Sequence, residues 1–265
     1  MFNNKAENVK QQYSDDKNLS VRIKFHKKHS INKQGFNNWL WEKYVFFDNC
    51  RILELGCGNG AQWENKIDNL PDGCNIILSD FSNGMVNIVK EKYEKYKPFS
   101  FRQIDIQNID FPSETFDIVI ANHMLYHIPD LTKALSEVKR VLKTNGKFYS
   151  TTNGNKGIIP FLHEVFKRFE PDKKAFTQQL SFELQNGYKI LSEHFSDVKR
   201  FDYEDSLSVT ETQDLMDYIK SSMGVLTENH SKQNLDDLFI HFENIRVSEG
   251  AINIPKEVGL FISTK

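Results

Sequence analysis

Arg51-Ile52-Leu53-Glu54-Leu55-Gly56-Cys57-Gly58-Asn59-Gly60 decides the fold. Ile52, Leu53 and Leu55 form a short apolar run broken only by Glu54, the pattern of a parallel strand covered on both faces. Three alternating glycines follow. Glycine accepts positive φ and leaves bare backbone for a ligand to approach. A helix is expected over residues 61–69, its free N–H groups bordering the turn. Strand, glycine turn and helix make the first unit of a nucleotide-binding α/β sheet. The spacing is Gly-x-Gly-x-Gly, not the Gly-x-Gly-x-x-Gly of dinucleotide sites, and Glu54 stands two residues before the first glycine. A carboxylate so close repels phosphate and suits a cationic ligand.

From Glu54 to Gly60 the chain resembles the first motif of the class I, seven-stranded S-adenosylmethionine-dependent methyltransferases. Their cofactor carries a sulfonium and an ammonium and no phosphate, which agrees with Glu54. Glu54, Gly56, Cys57, Gly58 and Gly60 are therefore candidate cofactor residues. Residues 75–79 read as a second strand ending at Asp80, where a carboxylate can accept hydrogen bonds from both ribose hydroxyls. Phe81 could cover the adenine, and Met85, opening the next helix, faces back toward the site. Leu78 to Met85 resembles the family's second motif. Residues 99–104 form a third strand closed by Asp105 and Ile106. The resemblance implies that Asp105 receives the adenine amino group and that the Ile106 N–H meets a ring nitrogen.

Phe111-Pro112 and Phe116-Asp117 lead into a fourth strand over 118–121, again as in that family. Ligands of open α/β sheets sit beyond the strand C-termini. Asn122, His123 and Met124 therefore approach the methionyl arm, with His127 orienting the loop or serving chemistry. His123 is a candidate base or a structural, cofactor-facing residue. His123 and His127 are four apart, but no third ligand has matching spacing, so no metal is expected. Residues 131–142 form a helix, Asn145-Gly146 a turn and residues 147–152 a fifth strand.

The flanks are less regular. The resemblance implies that residues 1–50 form a helical lid; apolar residues fall at Leu19, Ile23, Phe25 and Ile31, and the spacing over 36–47 suits an amphipathic helix. The lid's polar candidates are Tyr13 and Arg22 for cofactor or substrate, and His26 and His29 as competing bases, unless they are a solvated face. Trp39 and Trp41 read as core. Residues 51–265 make the methyltransferase domain. Helical pieces are expected at 158–169, 178–185 and 188–195, a strand at 198–203, helices at 215–223 and 235–247, and a terminal β passage over 251–263. The resemblance implies an antiparallel last hairpin, so cap insertions are expected near 156–186 and 205–250.

The fold class is thus α/β: a Rossmann-like, seven-stranded, mostly parallel sheet with an antiparallel last strand, helices on both faces and a helical cap. The chain has 265 residues, a formal charge of −2 and a pI of about 6.5. That gives no electrostatic footprint for nucleic acid, although Lys and Arg cluster over 22–33. Cys50, Cys57 and Cys74 lack metal spacing and read as free thiols of a reducing compartment. No signal peptide or membrane span is apparent, so a cytoplasmic monomer or homodimer is expected. The expected activity is methyl transfer from S-adenosyl-L-methionine to a small-molecule N, O or C nucleophile, with S-adenosyl-L-homocysteine as product. The alternatives are a non-catalytic cofactor-binding regulator on the same fold and a nicotinamide oxidoreductase, which the glycine spacing and Glu54 disfavour.

Overall fold

The computed structural model describes residues 16–169, 180–223 and 232–265. Its centre is one seven-stranded sheet. The strands are β1 (Arg51–Leu55), β2 (Asn75–Asp80), β3 (Phe99–Gln103), β4 (Phe116–Asn122), β5 (Leu142–Asn153), β6 (Asp197–Val209) and β7 (Ile252–Thr264). Their order is β3-β2-β1-β4-β5-β7-β6. β1 to β5 run parallel, and β7 is antiparallel to both its neighbours. The expected fold class is the one observed. The order reverses between β1 and β4, and this switch point opens beyond the glycine turn.

The period of two along each strand sorts side chains onto two faces. Leu53, Leu55, Ile77, Val119 and Ala121 point into one core, with α4 (Leu131–Val141) and α6 (Gly187–Ser192) over it. Ile52, Ile76, Leu78, Ile118 and Ile120 point into the other, against α2 (Phe36–Lys43), α3 (Asn83–Tyr93) and Trp63. Glu54 lies opposite Leu78 and Ile120. Asp80 and Asn122 lie two residues beyond those partners. The three polar groups therefore leave the same face of the sheet, near the strand C-termini.

β6 runs well beyond the strand expected over 198–203, whereas β7 fills the terminal passage expected over 251–263. Their pairing runs without interruption from Asp197–Thr264 to Val209–Ile252, while β5 accompanies β7 only from Val258 onward. The outer half of this hairpin carries a third core. Leu207, Val209, Ile252 and Ile254 pack there with α5 (Ile158–Phe169), α7 (Thr212–Met223), α8 (Lys232–Glu249) and Phe25 of α1 (Lys17–His29). The cap is thus an extension of the sheet's own last hairpin.

Three expectations need correction. Residues 61–69 form two 3₁₀ turns, Ala61–Trp63 and Ile67–Asn69, not a sheet-covering helix. Residues 180–185 are irregular where a helical piece was expected, and 178–179 lie outside the described residues. The Asn145-Gly146 turn is realised inside β5 as a kink, with Asn145 at φ 64°. Trp39 is buried, and Trp41 is partly buried against the same core.

Candidate functional site

The glycine loop is held by its neighbours before any ligand is considered. Gly56, Gly58 and Gly60 all have positive φ. The Cys57 N–H donates to Ser79 O at 2.8 Å, tying the loop to β2. A Cβ at Gly60 would lie 2.6 Å from the Tyr93 ring, so the third glycine is required by close packing of α3. A Cβ at Gly56 would meet Met124 at 3.0 Å, and one at Gly58 would meet Leu19 at 3.1 Å. Bare backbone thus faces Met124 and the start of α1.

Glu54 is buried, with 2% of its surface exposed. Its carboxylate accepts the Trp63 indole N–H at 2.6 Å. Burial pushes its pKa up to about 7, against the help of the Trp63 and Gln62 hydrogen bonds. Around it stands a polar group that sequence reading missed. Asn122 Nδ2 donates to the Tyr44 hydroxyl at 2.8 Å, and that hydroxyl donates to Gln62 Oε1 at 3.3 Å. Asn122 Oδ1 is buried without a hydrogen-bond partner. Gln62 and Trp63 were hidden in a stretch read as a covering helix. Tyr44 was hidden in an aromatic run read as packing.

Asp80 is anchored by backbone. Its Oδ2 accepts Gly58 N–H at 3.0 Å and its Oδ1 accepts Ser82 N–H at 2.9 Å. Burial outweighs these bonds and raises its pKa. The Phe81 N–H also bonds this carboxylate, and a carboxylate has about four acceptor positions, so Asp80 keeps room for a further hydroxyl. Farther along, Phe81, Gln103, Ile104, Asp105, Asn108 and Asp110 line a cavity of about 320 Å³. Asp105 there accepts Gln107 N–H at 2.8 Å. Ile106 is buried beside it and Met85 lies in the core under Ser82.

These residues fit S-adenosylmethionine. The loop's side chains are Cys57 and Asn59, neither cationic. Glu54 and the unpartnered Asn122 oxygen are acceptors suited to an ammonium. Asp80 and the cavity at Asp105 offer further acceptors of the kind that hydroxyls and an amino group need.

His123 has φ 52°, a left-handed conformation that costs a non-glycine residue about 1–2 kcal/mol. Its N–H is held by both Thr151 O and Thr151 Oγ1, each at 3.1 Å. The ring lies 5.3 Å from Phe36. Burial, reinforced by Lys256, lowers its pKa to about 4, so the imidazole is neutral at pH 7. His127 is likewise lowered to about 4 by burial and by Arg22. His26 is lowered to about 3 by burial, then Lys256 and His123, against Asp205.

Arg22 and His26 of α1 and His123 and His127 of the β4 loop therefore form one cluster. His29 does not join it. It is buried, and Nε2 lies 2.8 Å from the Asp214 carboxylate of α7. His29 is a fastening between α1 and the cap and not a candidate base. Tyr13 lies outside the described residues. Among the described residues, no group of three or more His, Cys, Asp or Glu is placed to hold a metal ion.

Residues 53–150 match the family described as a methyltransferase domain. The chain is 27% identical over 195 residues to the demethylmenaquinone methyltransferase of Chlamydia caviae, covering 71% of this chain and 82% of that one. It is 30% identical over 128 residues to the phosphatidylethanolamine N-methyltransferase of Cereibacter sphaeroides, covering 45% of this chain and 60% of that one. The crystal structure of a putative methyltransferase from Bacillus halodurans C-125 shares the fold, with a TM-score of 0.59 at 16% identity across 87% of this chain and 98% of that one.

Proposed function

The chain belongs to the class I S-adenosylmethionine-dependent methyltransferases, and on that premise we propose that it methylates an N, O or C nucleophile of a small molecule beneath its helical cap. The observation that carries the reading is the shared face of Glu54, Asp80 and Asn122 beyond a bare glycine turn. S-adenosylmethionine, when bound, supplies an electrophilic methyl group on a sulfonium. The chain's own work is then alignment and exclusion of water. Glu54 and Asn122 hold the ammonium end. Asp80 holds the ribose, Phe81 and Asp105 the adenine. Met124, packed over Gly56, fixes the reach of the arm toward the β4 loop. His123, neutral and held by Thr151, stands where a proton leaving the nucleophile can be taken.

The small-molecule reading is supported by the cap and by the names of two relatives, a quinone and a phospholipid methyltransferase. The N-terminal segment acts as a lid in this reading. Asp16 accepts a hydrogen bond from Asn59 of the glycine loop, and Leu19 approaches Gly58. The reading as a cytoplasmic protein rests on three buried free thiols. No helix among the described residues is long and apolar enough to cross a membrane.

Calorimetry with S-adenosylhomocysteine is the first test, with micromolar or tighter binding expected without added metal. Transfer of labelled methyl from the cofactor into a small-molecule extract fraction is the second. No heat and no thermal shift with either cofactor form would overturn the reading.

A further inference from the structure

Three side chains from separate elements converge at the end of β4, and their hydrogen bonds leave one atom over. Tyr44 follows α2, Gln62 belongs to the turn Ala61–Trp63, and Asn122 is the last residue of β4. Tyr44 is wedged in place. Its ring stacks on Phe46 at 5.3 Å and meets Tyr149 edge-on at 5.1 Å between centroids. The adjoining Val45 N–H donates to the Tyr149 hydroxyl at 3.2 Å. Gln62 is held from the other side, because its neighbour Trp63 is anchored on Glu54.

The donors and acceptors can be assigned one by one. Asn122 Nδ2 has two hydrogens. One goes to the Tyr44 hydroxyl at 2.8 Å and the other to Gln62 Oε1. The Tyr44 O–H spends its single hydrogen on the same Gln62 Oε1, at 3.3 Å. Both lone pairs of Gln62 Oε1 are then taken. The Gln62 side chain also bonds the Glu54 carboxyl group. An ionised carboxylate only accepts, so the amide nitrogen of Gln62 is the end that faces Glu54. Glu54 thus sets the direction of Gln62, and Gln62 sets the direction of Asn122. Turning the Asn122 amide over would press its oxygen against Gln62 Oε1, two acceptors with no hydrogen between them. Asn122 Oδ1 is therefore the end left over, buried and without a hydrogen-bond partner. An acceptor buried in that way is costly until something binds it. Glu54 pairs in register with Ile120, two residues before Asn122, so the two acceptors share one face of the sheet.

We propose that Gln62 and Tyr44 are positioning residues that hold the Asn122 amide with its oxygen toward the cofactor's ammonium group, and so make this end of the site selective for a cation. The proposal rests on the methyl-transfer reading and adds to it the two residues that give the site its polarity. Gln62 and Tyr44 act through Asn122. An Asn122 amide free to turn would also present its NH₂ group, which repels an ammonium. The fixed amide removes that alternative before the cofactor arrives, so no binding energy is spent on turning it.

The test measures, by calorimetry on the full chain, the affinities for S-adenosylhomocysteine and for its deaminated analogue, in which hydrogen replaces the amino group. Their ratio reports the ammonium alone. S-adenosylhomocysteine should bind at least about a hundredfold more tightly, about tenfold for each charge-assisted bond to Glu54 and Asn122. Gln62→Met should lower that preference about tenfold and leave the affinity for the deaminated analogue unchanged. Tyr44→Phe keeps the ring packing and should lower it by less, since Gln62 Oε1 still holds one amide hydrogen. In an Asn122→Asp chain both ends of the side chain are oxygen and direction no longer matters. Adding Gln62→Met to Asn122→Asp should therefore leave the preference where Asn122→Asp alone puts it, whereas a merely structural role for Gln62 would cost the same in both backgrounds. A preference untouched by Gln62→Met, or lowered equally in the two backgrounds, would overturn the proposal and leave the methyl-transfer reading standing. If Gln62→Met does not fold, Tyr44→Phe decides, and a wild-type preference in that variant overturns the proposal. Equal binding of S-adenosylhomocysteine and its deaminated analogue by the unaltered chain would overturn it as well. No binding of S-adenosylhomocysteine at all would reject the methyl-transfer reading and the proposal with it.

Discussion

Glu54 holds its proton loosely near neutrality, because burial raises its pKa to about 7. A cationic ligand beside it favours the ionised form, so binding should release a proton below that pH. Affinity for S-adenosylmethionine is expected to fall as pH drops from about 8 to about 6, and Glu54→Gln should flatten the dependence. Calorimetry in buffers of different ionisation enthalpy reads the released proton directly, and its absence would separate Glu54 from the ammonium. Asp80 acts by geometry. Asp80→Ala should weaken S-adenosylhomocysteine by ~2–4 kcal/mol through the loss of a charge-assisted bond and of the carboxylate's hold on the loop. Part of that loss would come from freeing the Gly58 and Ser82 N–H groups, which a crystal structure of the variant would show as a moved loop. His123 needs a replacement that tolerates its left-handed backbone, and asparagine does so. His123→Asn should lower single-turnover rates by ~10²-fold or more if the ring takes a proton, while leaving activity from alignment alone. An unchanged rate would leave His26 or alignment as the explanation.

At the scale of elements, what was legible is what repeats locally. The apolar strand runs, the glycine turn and the strand-end acids can be read residue by residue, and they located β1, β2 and β4 and the polar groups at their C-terminal ends. The stretch 61–69 misled because a helix was expected there only from the strand and glycine turn before it. Trp63 leaves the local path to donate to Glu54, and Gly60 and Asn65 at positive φ break any continuous helix. The cap was foreseen only as an insertion, because its fastening joins residues remote in sequence. Ser30, Asp205 and Lys256 meet across the hairpin, and Ile31 N–H bonds Ser206 O. Nothing at any one of those positions announces the other two. The Asp205 side chain is fully buried and Lys256 nearly so. Asp205→Ala would leave a buried cation unpaired and should cost ~3–5 kcal/mol, whereas Asp205→Leu with Lys256→Met should recover most of it. Denaturant midpoints of the two variants check this. Equal losses in both would mean that the hydrogen bonds to Ser30, Asn32 and Ser206, and not the ion pair, hold the cap.

Over the whole molecule, the two protonation trends oppose each other, and their sum sets the response to acid. His26, His123 and His127 are held at about 3, 4 and 4 in the folded chain. Unfolded imidazoles titrate near 6.5, so from about pH 6.5 down to about 4 the unfolded state binds up to three more protons. Glu54 does the reverse. Its folded pKa of about 7 lies above its unfolded value, so between those limits the folded state binds one more proton. The net excess is about two protons on the unfolded side, each worth ~1.4 kcal/mol per pH unit. Stability should therefore be full near pH 7 and fall steeply as pH drops from about 6 to about 4.5, before most carboxylates are protonated. The three imidazoles sit where cap and sheet meet, so their protonation loosens that junction first. Tryptophan fluorescence reports the sheet side, because Trp39, Trp41 and Trp63 all pack there, while proteolysis reports the cap. Denaturant titrations at pH 7, 6 and 5 should show a falling midpoint, with cleavage in the cap preceding the tryptophan change at pH 5. A midpoint that holds steady or rises across that range would mean that the imidazoles reach water or partners that let them charge in the folded state.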